Sequence, residues 1–387
     1  MQRRSFLKSL GLLPFAGVGA HLAVAANPVA KYDNLLILVE LKGGNDGLNT
    51  VVPYADNAYY RLRPRIAIAR DQVIQLSQAT GLNPALAPLM PLWDSKQLAV
   101  VQGVGYPQPN LSHFRSIEIW DTASKSSEYL SEGWLARTFE LSPAPKSFAA
   151  DGVVVGSQDM GPLTGGTTRT IALANPAQFK RQSRLVAAGG RAENKAMAHI
   201  LKVEDDITDA AGKLAGNHSF QSEFPTGAFG NAIRTTCQVV AAGSGVAVAH
   251  MTLNGFDTHS NQPGTQARLL REFADGMASL KAALSEIGRW DSTLVMTYAE
   301  FGRRPQENLS NGTDHGTANA HFVLGGRVKG GLYGEAPRLD RLDGNGNLPH
   351  AVDFRSMYAT ALEQWWGVNS RDVLGERFAT LDVLRAG

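Results

Sequence analysis

Apolar residues in this chain gather into short unbroken runs, and each run stops at a polar loop. The runs are Leu35–Leu41, Leu98–Val104, Val246–Leu253 and Thr293–Thr297. Unalternating runs spaced by helical patterns mark parallel strands buried on both faces. The clearest helix is expected over Thr265–Ile287, where Leu269, Leu270, Phe273, Met277, Leu280, Leu284 and Ile287 recur at steps of three and four. With its flanking strands it makes a strand–helix–strand unit, which crosses over right-handed. Further helices are expected near Ala85–Ser95, Phe114–Trp120 and Phe229–Ala242, and a further strand at His321–Gly326. The expectation is an α/β fold: a doubly wound, mostly parallel sheet with helices on both faces. Between 140 and 225 the pattern weakens to a short strand at Val153–Val155, a Gly/Thr-rich loop at Gly161–Thr170 and a helix at Ala192–Leu214. That stretch reads as a helical or loop insertion over the sheet. Length alone allows two domains, and the pattern favours one, over 27–387.

In an open α/β sheet, ligands bind beyond the carboxyl ends of the strands. Here the strand-end loops carry metal-type and nucleophile-type side chains. After the first run comes Gly43-Gly44-Asn45-Asp46, where Asp46 is either a metal ligand or part of an Asn-Asp-Gly turn. After the second comes Asn110-Leu111-Ser112-His113, with Ser112 opening a helix as a cap or as a nucleophile beside His113. After the third comes Asp257-Thr258-His259, a carboxylate and an imidazole able to share one metal, or a plain Asp–His contact. After the fourth comes Glu300-Phe301-Gly302-Arg303, with Glu300 a candidate ligand and Arg303 a fork for an anion, unless the two form a surface pair. Asp314-His315, in a glycine-bounded loop, adds another ligand or acid–base pair. The convergence points to an enzyme. The expected site has Ser112, His113 and Arg303 in catalysis. Asp46, Asp257, His259, Glu300, Asp314 and His315 are expected around one or two divalent ions (Zn, Mn or Ca).

The N-terminus changes where this chemistry is expected. Arg3-Arg4-Ser5-Phe6-Leu7-Lys8, an uncharged apolar run over Ser9–Val24 and Ala23-Val24-Ala25 read as a twin-arginine export signal over residues 1–26. The run is shorter than the ~20 residues a span needs. The expectation is a periplasmic or otherwise exported protein that meets the twin-arginine machinery, with no transmembrane span in the mature chain. Removing the three basic residues of the signal takes the formal charge from +2 to −1. No basic stripe of the kind nucleic acid requires is left. The single cysteine, Cys237, lies in an apolar stretch and reads as a buried hydrophobe.

The block Gly-Gly-Asn-Asp-Gly-Leu-Asn (43–49), Ser-His-Phe (112–114), Gly-Phe-Asp-Thr-His (255–259), Glu-Phe-Gly-Arg (300–303) and Gly-Thr-Asp-His-Gly (312–316) resembles an uncharacterised exported bacterial family, domain of unknown function 1501. That family is similar to a branch of the alkaline phosphatase and sulfatase superfamily. The resemblance implies an alkaline phosphatase-like sheet with metal ligands at strand ends and hydrolysis of phosphate or related anionic esters. It implies Asp46 as the first-strand metal aspartate, Ser112 as nucleophile, Asp257 and His259 on one metal, and His315 as the last histidine ligand. Glu300 stands where the superfamily has Asp followed by His. Phe301 follows it here, so one ligand is missing or replaced. The Cys/Ser-x-Pro-x-Arg signature of sulfatases is absent. Two other readings stay open. One is a non-catalytic binding or assembly factor on a degenerate phosphatase-like fold. The other is a serine esterase, whose Gly-Gly-Asn-Asp block would have to follow the nucleophile.

Overall fold

The computed structural model describes residues 30–166, 168–173, 213–214 and 218–386. The export-signal expectation, and almost all of the helix expected at Ala192–Leu214, lie outside these residues.

Among the described residues, nine strands form the main sheet. In chain order they are β1 (Leu35–Lys42), β2 (Leu98–Gly105), β3 (Ala150–Val155), β4 (Thr170–Leu173), β5 (Val246–Asn254), β6 (Thr293–Tyr298), β7 (Asn319–Leu324), β8 (Gly331–Gly334) and β9 (Val352–Asp353). Their spatial order is β8-β2-β7-β6-β1-β5-β3-β4, with β9 continuing along β2. All pairings are parallel except those of β7 with β2 and β6. No helix crosses over between β6 and β7, only an antiparallel ribbon, Arg303–Glu307 with Thr313–His315. A chain that turns back at the same edge of a sheet can only pair antiparallel. The start of β7 therefore lies at the same edge as the carboxyl ends of the other strands. The expected doubly wound, mostly parallel α/β sheet is the one observed. Within the stretch read as an insertion, β3 and β4 are strands of this sheet.

The alternating sides of β1 show why helices cover both faces. Leu35, Ile37, Val39 and Leu41 point to a core shared with α4 (Gln262–Glu286), through Leu269, Phe273, Met277 and Leu280, and with α3 (Ala228–Ala241), through Ile233 and the buried free Cys237. Leu36 and Leu38 point to the other core, with Trp120 of α1 (His113–Thr122), Trp134 of α2 (Trp134–Leu141), and Phe354, Trp365 and Trp366 in and after α5 (Phe354–Thr360). Each fully buried Leu or Phe contributes roughly 1.5–3 kcal/mol of hydrophobic stabilisation. Such a sheet fixes where its strands end, and hence where the loops begin. No helix among the described residues is long and apolar enough to cross a membrane.

Candidate metal centre

The loops after β1, β5 and β6, the start of α1 and the ribbon meet at one place. Gly43 sits at φ +112°, and a Cβ there would collide with the backbone nitrogen of Asp257. Glycine is what lets the β1 turn lie against the β5 loop. Gly312 does the same for the ribbon, whose backbone there lies against the Thr258–His259 carbonyls. The ribbon pairs Arg303 with His315, which delivers His315 to the β5 loop.

Three imidazoles and one carboxylate face each other. Asp257 Oδ1 lies 3.4 Å from His113 Nε2, 3.1 Å from His259 Nε2 and 3.4 Å from His315 Nε2. His259 Nε2 and His315 Nε2 are 3.0 Å apart. Each ring is turned by what its other nitrogen meets. His113 Nδ1 is 2.7 Å from Glu300 Oε1, His315 Nδ1 is 2.8 Å from the Leu111 carbonyl, and His259 Nδ1 is 3.4 Å from Asp314 Oδ1. An acceptor at Nδ1 holds the proton there and leaves the Nε2 lone pair facing inward. Three lone pairs and a carboxylate oxygen then converge, and the one cation among the described residues that touches them is the Arg303 guanidinium, 2.7 Å from Asp257 Oδ1. His113 Nε2 is buried and has no hydrogen-bond partner among the described residues. These groups fit a divalent cation of the zinc type, which takes imidazole and carboxylate ligands. His113, Asp257 and His315 meet the spacing for shared coordination directly. Roughly half of the Asp257 and His259 side chains stays exposed, so a ligand can reach them from solvent.

The electrostatics follow from the same contacts. The Glu300 hydrogen bond holds the His113 pKa above the ordinary imidazole value, against the opposing effect of burial. Burial lowers that of His315. For Asp257, burial works upward, but the Arg303 hydrogen bond and charge, with His113 and His259, bring the net shift downward. The Asn308 hydrogen bond lowers Asp314.

Four of the expected site residues are held in other contacts. Glu300 was expected as a metal ligand, but its buried carboxylate accepts from the Gly43 N–H at 3.0 Å, the Gly44 N–H at 3.0 Å and His113 Nδ1. It orients the His113 ring. Asp46, also expected on a metal, forms a fully buried ion pair with Arg63 at 2.6 Å. It also accepts from Gln262 Nε2 and caps the Leu48 N–H. Arg303 was expected to hold an anion. Its guanidinium is buried and donates to the carbonyls of Gly43, Gly44, Phe256 and Thr313 and to Asp257 Oδ1 at 2.7 Å. With its donors engaged, it ties three loops together and positions Asp257. Asp314, expected as a ligand, is an exposed neighbour of His259 Nδ1.

The structure brings His113, Asp257, His259 and His315 together, with His113 a ligand candidate where the sequence suggested catalysis. Ser112 precedes α1, exposed, and its side chain makes no cap hydrogen bond. The sequence reading missed Arg63 and the Leu111 carbonyl. Neither carries a local signal, because an arginine in a loop and a main-chain oxygen look alike everywhere. It also missed Glu40. This acid lies inside an apolar strand, is 3% exposed and has its pKa pushed up to about 7 by burial. An acidic residue between Val39 and Leu41 was a visible signal.

The family model described as "Protein of unknown function (DUF1501)" matches residues 69–376. No curated protein matches the chain. Among solved structures, the C-terminal periplasmic domain of EcEptC from Escherichia coli, in complex with Zn, is 10% identical over 76% of this chain and 72% of that one, with a TM-score of 0.39. The lipoteichoic acid synthase LtaP from Listeria monocytogenes is 9% identical over 88% and 76%, with a TM-score of 0.38. The alkaline phosphatase from the Antarctic bacterium TAB5 is 11% identical over 78% and 94%, with a TM-score of 0.34.

Proposed function

This chain belongs to the DUF1501 family, and we propose that it is an exported, metal-dependent hydrolase of phosphate or related anionic esters. One observation carries the reading: three inward-facing Nε2 atoms and Asp257 Oδ1 converge at a solvent-accessible place beyond the strand ends. His113, Asp257, His259 and His315 would hold the cation. Bound there, a divalent ion supplies Lewis acidity and a lowered pKa for a nearby hydroxyl.

The chain's own residues do the rest. Glu300 keeps the proton on His113 Nδ1, and the Leu111 carbonyl does so on His315. Arg303 keeps Asp257 ionised and in place. Ser112, one residue from His113 and free of a cap bond, is the nucleophile. The N–H groups at the start of the ten-residue α1 favour an anion beside it. Because Arg303 is fully engaged, anion recognition rests on that helix end and on the cation. Export is supported by the Arg3-Arg4 start and the small-residue site at Ala23-Val24-Ala25.

The test is hydrolysis of p-nitrophenyl phosphate, with metal content measured on the same preparation. Ser112→Ala should lower the rate on the order of 10³-fold or more with metal retained. An unchanged rate removes Ser112 from the mechanism. A second reading, a non-catalytic binding factor, is favoured by the commitment of Asp46, Glu300 and Arg303 to structural contacts. Metal-loaded protein with no turnover of phosphate, sulfate or carboxylate esters would select it.

A further inference from the structure

One polar cluster lies apart from the histidines and takes no part in holding a cation. Leu36 and Leu38 of β1 point into an apolar core, but Glu40, next on the same side of the strand, is a buried acid. Its neighbours across the strands are polar too: Glu40 pairs with Thr252 of β5 and with Tyr298 of β6. His250 of β5 has its Nε2 3.0 Å from the Tyr298 hydroxyl, and that hydroxyl donates to Asp121 of α1 at 3.2 Å. The loop after β3 closes over the cluster, where a Cβ on Gly161 would come within 3.3 Å of the His250 ring and 3.4 Å of Asp121 Oδ1. Burying polar and ionisable groups costs stability, so a cluster of them inside an apolar core calls for a reason.

The charges in the cluster do not balance. Lys42 Nζ is 3.7 Å from Glu40 Oε1 and 3.7 Å from Asp159 Oδ2. Thr252 donates to Glu40 Oε2 at 2.9 Å, while Oε1 has no hydrogen-bond partner among the described residues. Among those residues one ammonium thus faces the carboxylates of Glu40, Asp121 and Asp159, with Glu300 beyond them. Asp159 is exposed and stays ionised in water. Glu40 and Asp121 are held differently. Burial pushes Glu40 up to about 7, against the pull of Lys42 and with the help of Glu300. Burial, then the charges of Glu40 and Asp159, raises Asp121 well above the usual carboxylate range. The other groups add no charge at neutral pH, because burial lowers His250 to about 4 and raises Tyr298 and Tyr358. Near neutral pH the two acids therefore hold a proton between them.

Asp121 stands in the last turn of α1, and His113 is the first residue of the same helix. We propose that this cluster is a proton-dependent latch for α1: it holds the helix that begins at His113 against the sheet while Glu40 and Asp121 keep a proton between them, and lets it loosen as that proton is lost. The proton leaves to solvent. Two negative charges then face each other across the contact between α1 and β1, with one ammonium to offset them, and an uncompensated buried charge is strongly destabilising. Both carboxyls titrate higher folded than unfolded, so the hold is fully present in acid and weakens as pH rises through about 7. That the latch then governs hydrolysis rests on the hydrolase reading. That it holds α1 does not.

Hydrogen exchange read by mass spectrometry tests the hold, since it reports local opening segment by segment. The wild-type protein is compared at pH 6 and pH 9, with rates corrected for intrinsic exchange. Protection of α1 should fall at least tenfold further than that of α4, which packs on the other face of the sheet. In Glu40→Gln and Asp121→Asn, each of which removes one of the two acids, the fall in α1 should match that in α4. If α1 falls no further than α4 in the wild type, or if the excess persists in either variant, the proposal is overturned. The wild-type comparison decides even where a variant does not fold. p-Nitrophenyl phosphate turnover is followed in parallel. Turnover without the excess loss sinks only the latch, and the excess loss without turnover sinks only the hydrolase.

Discussion

Replacing Glu300 by Gln isolates the claim that this acid serves the metal through His113. The wild-type carboxylate is surrounded by three donors: the N–H groups of Gly43 and Gly44, and His113 Nδ1. A carboxamide has one acceptor oxygen. Placed against the two glycines, it turns its NH₂ towards His113. The ring must then accept at Nδ1 and carry its proton on Nε2, so the lone pair that would bind the cation is lost. Breaking such an outer contact typically weakens metal binding 10–100-fold, or about 1.4–2.7 kcal/mol. The assay is competition of Glu300→Gln and wild type against a chelator of known zinc affinity, with folding followed by circular dichroism. A folded variant whose zinc affinity equals that of the wild type would refute the reasoning. It would show that His113 either does not bind the cation or needs no partner to do so.

Other outcomes follow from the same contacts. Asp46→Asn breaks a fully buried ion pair with Arg63 and should cost about 3–5 kcal/mol in urea unfolding, with metal content unchanged; loss of metal at unchanged stability would make Asp46 a ligand after all. Arg303→Met leaves four loop carbonyls without a buried donor and should cost about 3 kcal/mol or more; a stability within about 0.5 kcal/mol of wild type contradicts the cross-linking role. Glu40 has its pKa raised to about 7, first by burial. Its folded value therefore lies above the unfolded one, so its contribution is fully present below the unfolded pKa and is lost as pH rises through about 7. Glu40→Gln should be more stable than wild type at pH 8, by on the order of 3 kcal/mol, and equal to it near pH 4. A stability difference independent of pH would count against that.

The layout of the sheet was legible because its strands are buried on both faces. Leu35–Leu41 and Val246–Leu253 have to be apolar throughout, and that pattern survives without any tertiary knowledge. The antiparallel β7 was not legible, since its direction depends on a ribbon rather than on its own residues. Within the site, residue type and strand-end position located Asp257, His259 and His315. They could not say which lone pairs were already in use. Asp46 and Glu300 carry the same chemistry as Asp257, but Arg63 neutralises one and the Gly43-Gly44 backbone surrounds the other. Arg303 looked like a surface fork because its acceptors are main-chain oxygens of two other loops, which no side-chain pattern records.

The central claim is that three histidines and one aspartate from three separate segments of the chain surround a cation. X-ray absorption at the metal edge of protein purified without chelators tests it most directly. The account predicts about one divalent ion per chain, with imidazole scattering from three histidines and N/O ligands at roughly 2.0–2.2 Å. Protein free of bound metal that also fails to take up zinc, or a spectrum without imidazole scattering, would contradict it.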